Sequence, residues 1–169
     1  KRSPHLSEEE KRKISNFVGI GAVKYALVEV DPTKPVVFTW ERVINFERNS
    51  APYIQYSHAR ACSILRKAKK EIENPDYALL THNLEKELIL MLARWPEIFI
   101  DAAENLKPHI IAEFANALAD KFNSFYNALP VIKAEPSELS EARLALTDAV
   151  RIVLRNSLNL IGIEAPQRM

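Results

Sequence analysis

The sequence predicts an all-α protein, an antiparallel helical bundle with an irregular N-terminal connector. Three observations carry that prediction. Only three glycines stand against ten prolines, and the Asn-Gly and Asp-Gly pairs that make tight hairpins are absent. Apolar residues recur at helical spacing through most of the chain. Prolines and short polar clusters cut that pattern into helix-length pieces.

The elements follow in order. Ser7 with Glu10 makes a capping box, and Glu8, Glu9 and Glu10 put carboxylates in a first turn whose dipole favours them, so the first helix starts there. The pattern runs on through "NFVGIGAVKYALVEV", where Gly19 and Gly21, each costing ~1 kcal/mol relative to Ala, predict a kink or a break. "DPTKP" ends the run, "VVFTW" reads as extended linker, and "WERVINF" as one or two helical turns. Pro52 suits the first turn of a long helix that Asn74-Pro75 closes. "LEKELILMLARW" and, after Pro96, "PEIFIDAAENL" read as two helices, with Trp95 a core anchor at their joint. Pro108 opens the next, "PHIIAEFANALADKFNSFYNAL". A linker at "LPVIKAEP" leads to the last long helix, "SELSEARLALTDAVRIVLRNSLNLI", which Gly162 caps before a short tail. Residues 1–39 are expected to form connector helices and residues 40–169 the bundle.

Composition narrows the function. At 169 residues, 47% hydrophobic and 27% charged, the chain can bury one substantial core. Lys plus Arg is 23 and Asp plus Glu 22, so the overall charge balance points to no partner. The single Cys62 excludes an internal disulfide and fits a reducing compartment. No apolar run reaches the ~18 residues of a membrane span, and the charged start has no signal-peptide core. A cytoplasmic location is expected. The absence of an initiator Met suggests a piece of something longer.

The informative stretch is "SAPYIQYSHARACSILRKAKK", residues 50–70. At about 100° per residue, Ile54, Ser57, Ala61, Ile64, Leu65, Ala68 and Ile72 share the face a bundle helix buries. Tyr53, Tyr56, Arg60, Lys67 and Lys70 fall along one border of that face. Tyrosines at such a margin can pack their rings on the core while Arg and Lys stems lie over apolar surface. Cations spaced along a rail beside aromatic rings also suit phosphates and unpaired bases. Periodicity alone leaves both open.

The letters go further. "VGIGAVKYALV", "SAPYIQYSHARACSIL" and the closing "LNLIGIEAPQRM" together resemble the C-terminal third of arginyl-tRNA synthetase, a class I synthetase. The resemblance implies a helical bundle that binds the anticodon stem-loop of arginine tRNA. It implies that ATP, with magnesium, acts in an upstream catalytic domain; neither a His-Ile-Gly-His signature nor a Lys-Met-Ser-Lys-Ser loop is found here, so this segment should hold no cofactor and catalyse nothing alone. Carried over position by position, Tyr53, Tyr56 and Arg60 match a line facing the anticodon arm, with Lys67 and Lys70 continuing it. Tyr126 matches a tyrosine that meets a loop base, and Met169 a terminal methionine near the same loop, with Arg168 supplying attraction. The family's helical domain is named for an Asp-Ala-Leu-Arg tetrapeptide, of which "SEARLAL" keeps only Arg143. On the helical wheel Arg143 lies within the stripe of Leu139, Leu146, Val150 and Leu154, which predicts a buried strut with a carboxylate or carbonyl partner.

Other candidates are weaker. His5, His58, His82 and His109 are far apart, without metal-ligand spacing, so no zinc site is expected. Cys62 is placed on a polar flank opposite Tyr53, as an inert thiol. Glu71 and Glu73 lie on different faces. A helical protein-interaction module using the Tyr and Arg border as its hot spot is the alternative. A free-standing helical enzyme ranks last, because no nucleophile or acid-base constellation emerges.

Overall fold

The computed structural model describes residues 7–69 and 72–169, which form six α-helices and no strand. These are α1 (Glu8–Val28), α2 (Trp40–Val43), α3 (Ala51–Ala68), α4 (Asn83–Glu104), α5 (Pro108–Ala128) and α6 (Ser137–Leu160), with one 3₁₀ turn at Tyr77–Leu79. Helices α4, α5 and α6 run up and down, and α3 packs against α5 and α6. Lys121 pairs with Glu87 and the Trp95 ring sits 5.2 Å from Phe114, an antiparallel register for α4 and α5. Asn49, Tyr53 and Arg60 bond in turn to Asn116, Asp120 and Asn123, so α3 and α5 run parallel. The expected bundle is the observed one.

Its core is built from Ile54, Leu88, Leu118, Phe122, Phe125, Leu144, Leu154 and Leu158, all fully buried. Each contributes about 1.5–3 kcal/mol of burial. The Ser7–Glu10 capping box opens α1 as its letters indicate. Gly162, at φ 71°, follows the last helix in the left-handed conformation that suits glycine.

Three element boundaries differ from expectation, each because packing outweighs local propensity. Helix α1 runs unbroken through Gly19 and Gly21. A Cβ on Gly21 would lie 3.0 Å from the Ile163 side chain and 3.1 Å from Gln55 Nε2, so this glycine permits close approach. Helix α4 runs through Pro96 as one element, so Trp95 sits mid-helix and not at a joint. Leu84, Leu88, Leu92, Trp95, Ile98 and Ala102 form one continuous stripe on the core, and burying it offsets the ~3 kcal/mol a helical proline costs. Helix α3 stops at Ala68, short of Asn74-Pro75, where Lys69 adopts φ 50°. Its turn away leaves Ile72 packed on the core.

Candidate nucleic-acid interface

Ser50 starts α3 by accepting the Tyr53 amide, with Pro52 in the first turn, and this sets the rotation of every side chain above it. Tyr56 and Arg60, one turn apart, rise together on the flank facing the end of α5. The Arg60 guanidinium lies over the Tyr56 ring at 4.7 Å and over the Tyr126 ring at 5.0 Å. One cation thus sits between two aromatic faces contributed by two helices, an arrangement stabilised by the ring quadrupoles. Both tyrosines remain about two-fifths exposed, so the stack is open to a ligand.

A polar relay behind the stack aims it. Arg60 Nη1 donates to Asn123 Oδ1 at 2.6 Å. The other end of that amide donates to Tyr53 Oη at 3.0 Å and to Ser57 Oγ at 2.9 Å, which fixes the orientation of Asn123. Tyr53 in turn donates to Asp120 Oδ1 at 2.6 Å. Burial first, and then this bond to Asp120, raise the Tyr53 phenol above its ordinary pKa and keep it a donor. Among the described residues Arg60 faces no carboxylate, so its charge is held in place without being neutralised.

Beside the stack an open groove of about 370 Å³ runs between α3 and the α5–α6 loop. Arg60, Lys67 and Lys133 bring three cations to it, and Tyr126 and Ile132 supply apolar wall. A flat base with its phosphate matches such a surface in size and chemistry. Periodicity along α3 could not show this groove, because half its lining comes from the loop after α5.

The predicted site residues therefore separate. Tyr56, Arg60 and Tyr126 come together, with Lys67 further along the groove. Tyr53, expected on the same border, is half-buried there and bonds to Asp120 and Asn123 as a strut behind Arg60. Lys70 and Glu71 lie outside the described residues, as does His5. Arg168 is exposed and Met169 half-buried. They end a tail whose Pro166 carbonyl meets His58 on the other flank of α3, and Arg168 acts electrostatically on Glu10 in the first turn of α1. Asn123, Asp120 and Lys133 were not among the expected site residues, and Ser57 was expected only on the buried face. The helical spacing of Asn116, Asp120 and Asn123 along one side of α5 is the signal that could have shown part of this set.

Comparison with known proteins decides the family. The profile described as DALR anticodon binding domain matches residues 54–169. The chain belongs to the DALR anticodon-binding domain family. Over 99% of its length this DALR chain is 52% identical to the arginine–tRNA ligase of Pyrococcus abyssi and 49% identical to that of Methanosarcina barkeri. It spans only 27% and 30% of those two proteins. The solved Thermus thermophilus arginyl-tRNA synthetase superimposes on all of it with a TM-score of 0.92 at 34% identity, over 29% of that chain. The Plasmodium falciparum arginyl-tRNA synthetase covers 93% of it with a TM-score of 0.81 at 26% identity, over 28% of that chain.

In this DALR domain Arg143 has the buried place its wheel position predicts. Its Nε donates to Glu85 Oε1 at 2.6 Å and its Nη1 to the Pro130 carbonyl at 2.8 Å. Glu85 is 1% exposed, and its second oxygen accepts the His82 amide in the capping box of α4. Arg143 thereby ties the start of α4 to the loop carrying Ile132 and Lys133. Cys62 requires a correction. It is buried and not on a polar flank, and it stands one turn from His58, whose Nε2 is 3.7 Å from its sulfur. This Cys-His pair also departs from the expectation that no histidine has such a neighbour. Burial raises the Cys62 thiol pKa and lowers that of His58, which favours the neutral form of each. No group of three or more metal-ligating side chains occurs among the described residues.

Proposed function

We propose that this chain is the anticodon-arm recognition part of an arginine–tRNA ligase, and that Arg60, stacked between Tyr56 and Tyr126, is its central RNA contact. What carries the proposal is that pre-ordered, uncompensated guanidinium beside a groove with two further cations. Arg60 and its rings engage an unpaired loop nucleotide by stacking and charge. Lys67 and Lys133, and from its sequence position Lys70, take stem or loop phosphates. Tyr53 holds the stack in place. Arg168 and Met169 approach the RNA from the other flank of α3, the guanidinium attracting phosphate and the thioether shaping a base pocket.

ATP, magnesium and arginine belong to the catalytic part of the longer chain, to which residues 1–39 form the connector, in the cytoplasm. Ile20, Leu27 and Val37 are more than half exposed along that connector, and Trp40 just after it, apolar surface suited to covering by such a neighbour. No segment here performs the chemistry; anticodon engagement would position the far acceptor end for it.

The test is titration of arginine tRNA and an anticodon-substituted counterpart at two salt concentrations. Tyr126→Ala should weaken the matched RNA by about tenfold, the scale of one lost base stack, with a much smaller effect on the substituted one. Lys67→Ala should weaken both and flatten the salt dependence by about one charge. Equal, salt-insensitive binding of the two RNAs would refute the proposal and favour a protein partner at the same border.

A further inference from the structure

The flank of α3 opposite the Arg60 stack carries a second device. Gln55 is fully buried, and its Nε2 donates both to the Phe17 carbonyl of α1 at 3.2 Å and to the Glu164 carbonyl of the tail at 2.8 Å. One turn on, buried His58 has Nδ1 3.0 Å from the Pro166 carbonyl. A carbonyl can only accept, so Nδ1 carries the proton and donates. Helix α1 closes the same place from the other side. Lys24 Nζ donates to the Gly162 carbonyl at 2.5 Å, and Gly21 leaves just enough room for Ile163 and Gln55. Between residues 162 and 166 three tail carbonyls are thus held by side chains of two helices. Ile163 is 2% exposed, which anchors the segment between them.

We infer that Gln55 and His58, closed by Gly21 and Lys24 of α1, form a latch that positions the end of the tail for RNA recognition. The inference rests on the proposed role of Arg168 and Met169 at the anticodon arm. A chain end free to move would lose ordering entropy on every encounter with RNA. Held at Gly162, Glu164 and Pro166, it has only the last three residues left to order. Because Gln55 bridges α1 and the tail with one amide, a displacement of α1 moves the tail with it. The latch therefore links the position of the connector to discrimination among anticodons. Gln55 and His58 are positioning residues that need not touch RNA.

The experiment uses the complete ligase chain and the matched and anticodon-substituted tRNAs, with hydrogen exchange of segment 162–169 as an independent reading of the latch. His58→Ala and Gly21→Val, which act from different helices, should both speed exchange in that segment. They should also lower the matched-to-substituted affinity ratio by about tenfold, or ~1.4 kcal/mol. His58→Asn, which keeps a donor near the Nδ1 position, should restore most of both. Gly21→Ala, which asks its neighbours to yield only slightly, should fall between parent and Gly21→Val. Unchanged exchange in His58→Ala and Gly21→Val would overturn the latch. Faster exchange with an unchanged affinity ratio would overturn its role in recognition. Arg60→Ala separates this from the wider proposal: if Arg60→Ala weakens tRNA binding while the latch variants keep the ratio, the latch inference alone is wrong. If Arg60→Ala binds both tRNAs like the parent, the proposed interface itself fails.

Discussion

Replacing Arg143 by Leu removes one half of an ion pair the fold has sealed. Glu85 is 1% exposed, and its Oε1 has Arg143 Nε at 2.6 Å. Leucine fills much of the space but leaves that carboxylate without its counter-charge and the Pro130 carbonyl without its donor. Removing one partner of a buried pair costs about 3–5 kcal/mol. For a chain of this size each kcal/mol lowers the midpoint by roughly 2–4 °C, so thermal melting should fall by on the order of 6–20 °C. The cause can be isolated. Adding Glu85→Gln removes the stranded charge yet keeps an oxygen for the His82 amide. The double variant should then be more stable than Arg143→Leu alone, with a residual loss of about 1–3 kcal/mol from the unpaired carbonyl. A single variant melting like the parent, or a double variant less stable than the single one, would refute the account of Arg143 as a charge-paired strut.

Two further outcomes follow from the two flanks of α3. Asn123→Asp would set a carboxylate against Arg60 in place of an amide oxygen 2.6 Å away, neutralising the cation and losing the donors to Tyr53 and Ser57. RNA affinity should drop by about tenfold, and parent-like binding in a titration would count against Arg60 as the central contact. For His58, burial holds the folded pKa below the ordinary value near 6.5, with Arg151 and Arg155 of α6 adding like-charge repulsion and the Pro166 carbonyl opposing. Below about pH 6.5 the unfolded chain therefore binds more protons than the folded one, and stability rises with pH in that window. His58 contributes its full stabilisation above the unfolded pKa and loses it as pH falls toward the lowered folded value. Melting midpoints between pH 7.5 and 5 should show a decline that His58→Asn reduces; identical slopes would contradict it.

What could be read from the letters depended on how local each determinant is. The Ser7–Glu10 box, the openings at Pro52 and Pro108 and the Gly162 stop are settled within a few residues, and each stands where its chemistry puts it. Pro96 and the Gly19–Gly21 pair misled because local cost was outweighed by burial supplied from elsewhere: Phe114 against Trp95, and Ile163 against Gly21. The site divides in the same way. Tyr56 and Arg60 share a line on one helix, so their pairing was legible from spacing. The Tyr126 contact, the Asn123 relay and the Lys133 wall depend on the register of α5 and its following loop, which no periodicity on α3 encodes. Arg143 could be placed because a guanidinium inside an apolar stripe demands a partner, although the identity of Glu85 could not be foreseen.

The density of "YIQYSHAR" has a physical cause in this fold. Helix α3 is bordered at once by the core, by α5 and by the tail with α1, and successive residues of this run turn to each in order. Tyr53 reaches Asp120, Ile54 enters the core, Gln55 grips the tail, and Tyr56 meets Arg60. Ser57 supports Asn123 and His58 holds the Pro166 carbonyl, before Arg60 completes the stack. Each turn of the helix thus serves two flanks, and replacing Gln55, Ser57 or His58 by an apolar residue leaves a polar partner without its bond. Such a run tolerates little variation even where a residue never touches RNA. That is the property expected of a helix that orders the groove on one side and the chain end on the other against a single rigid core.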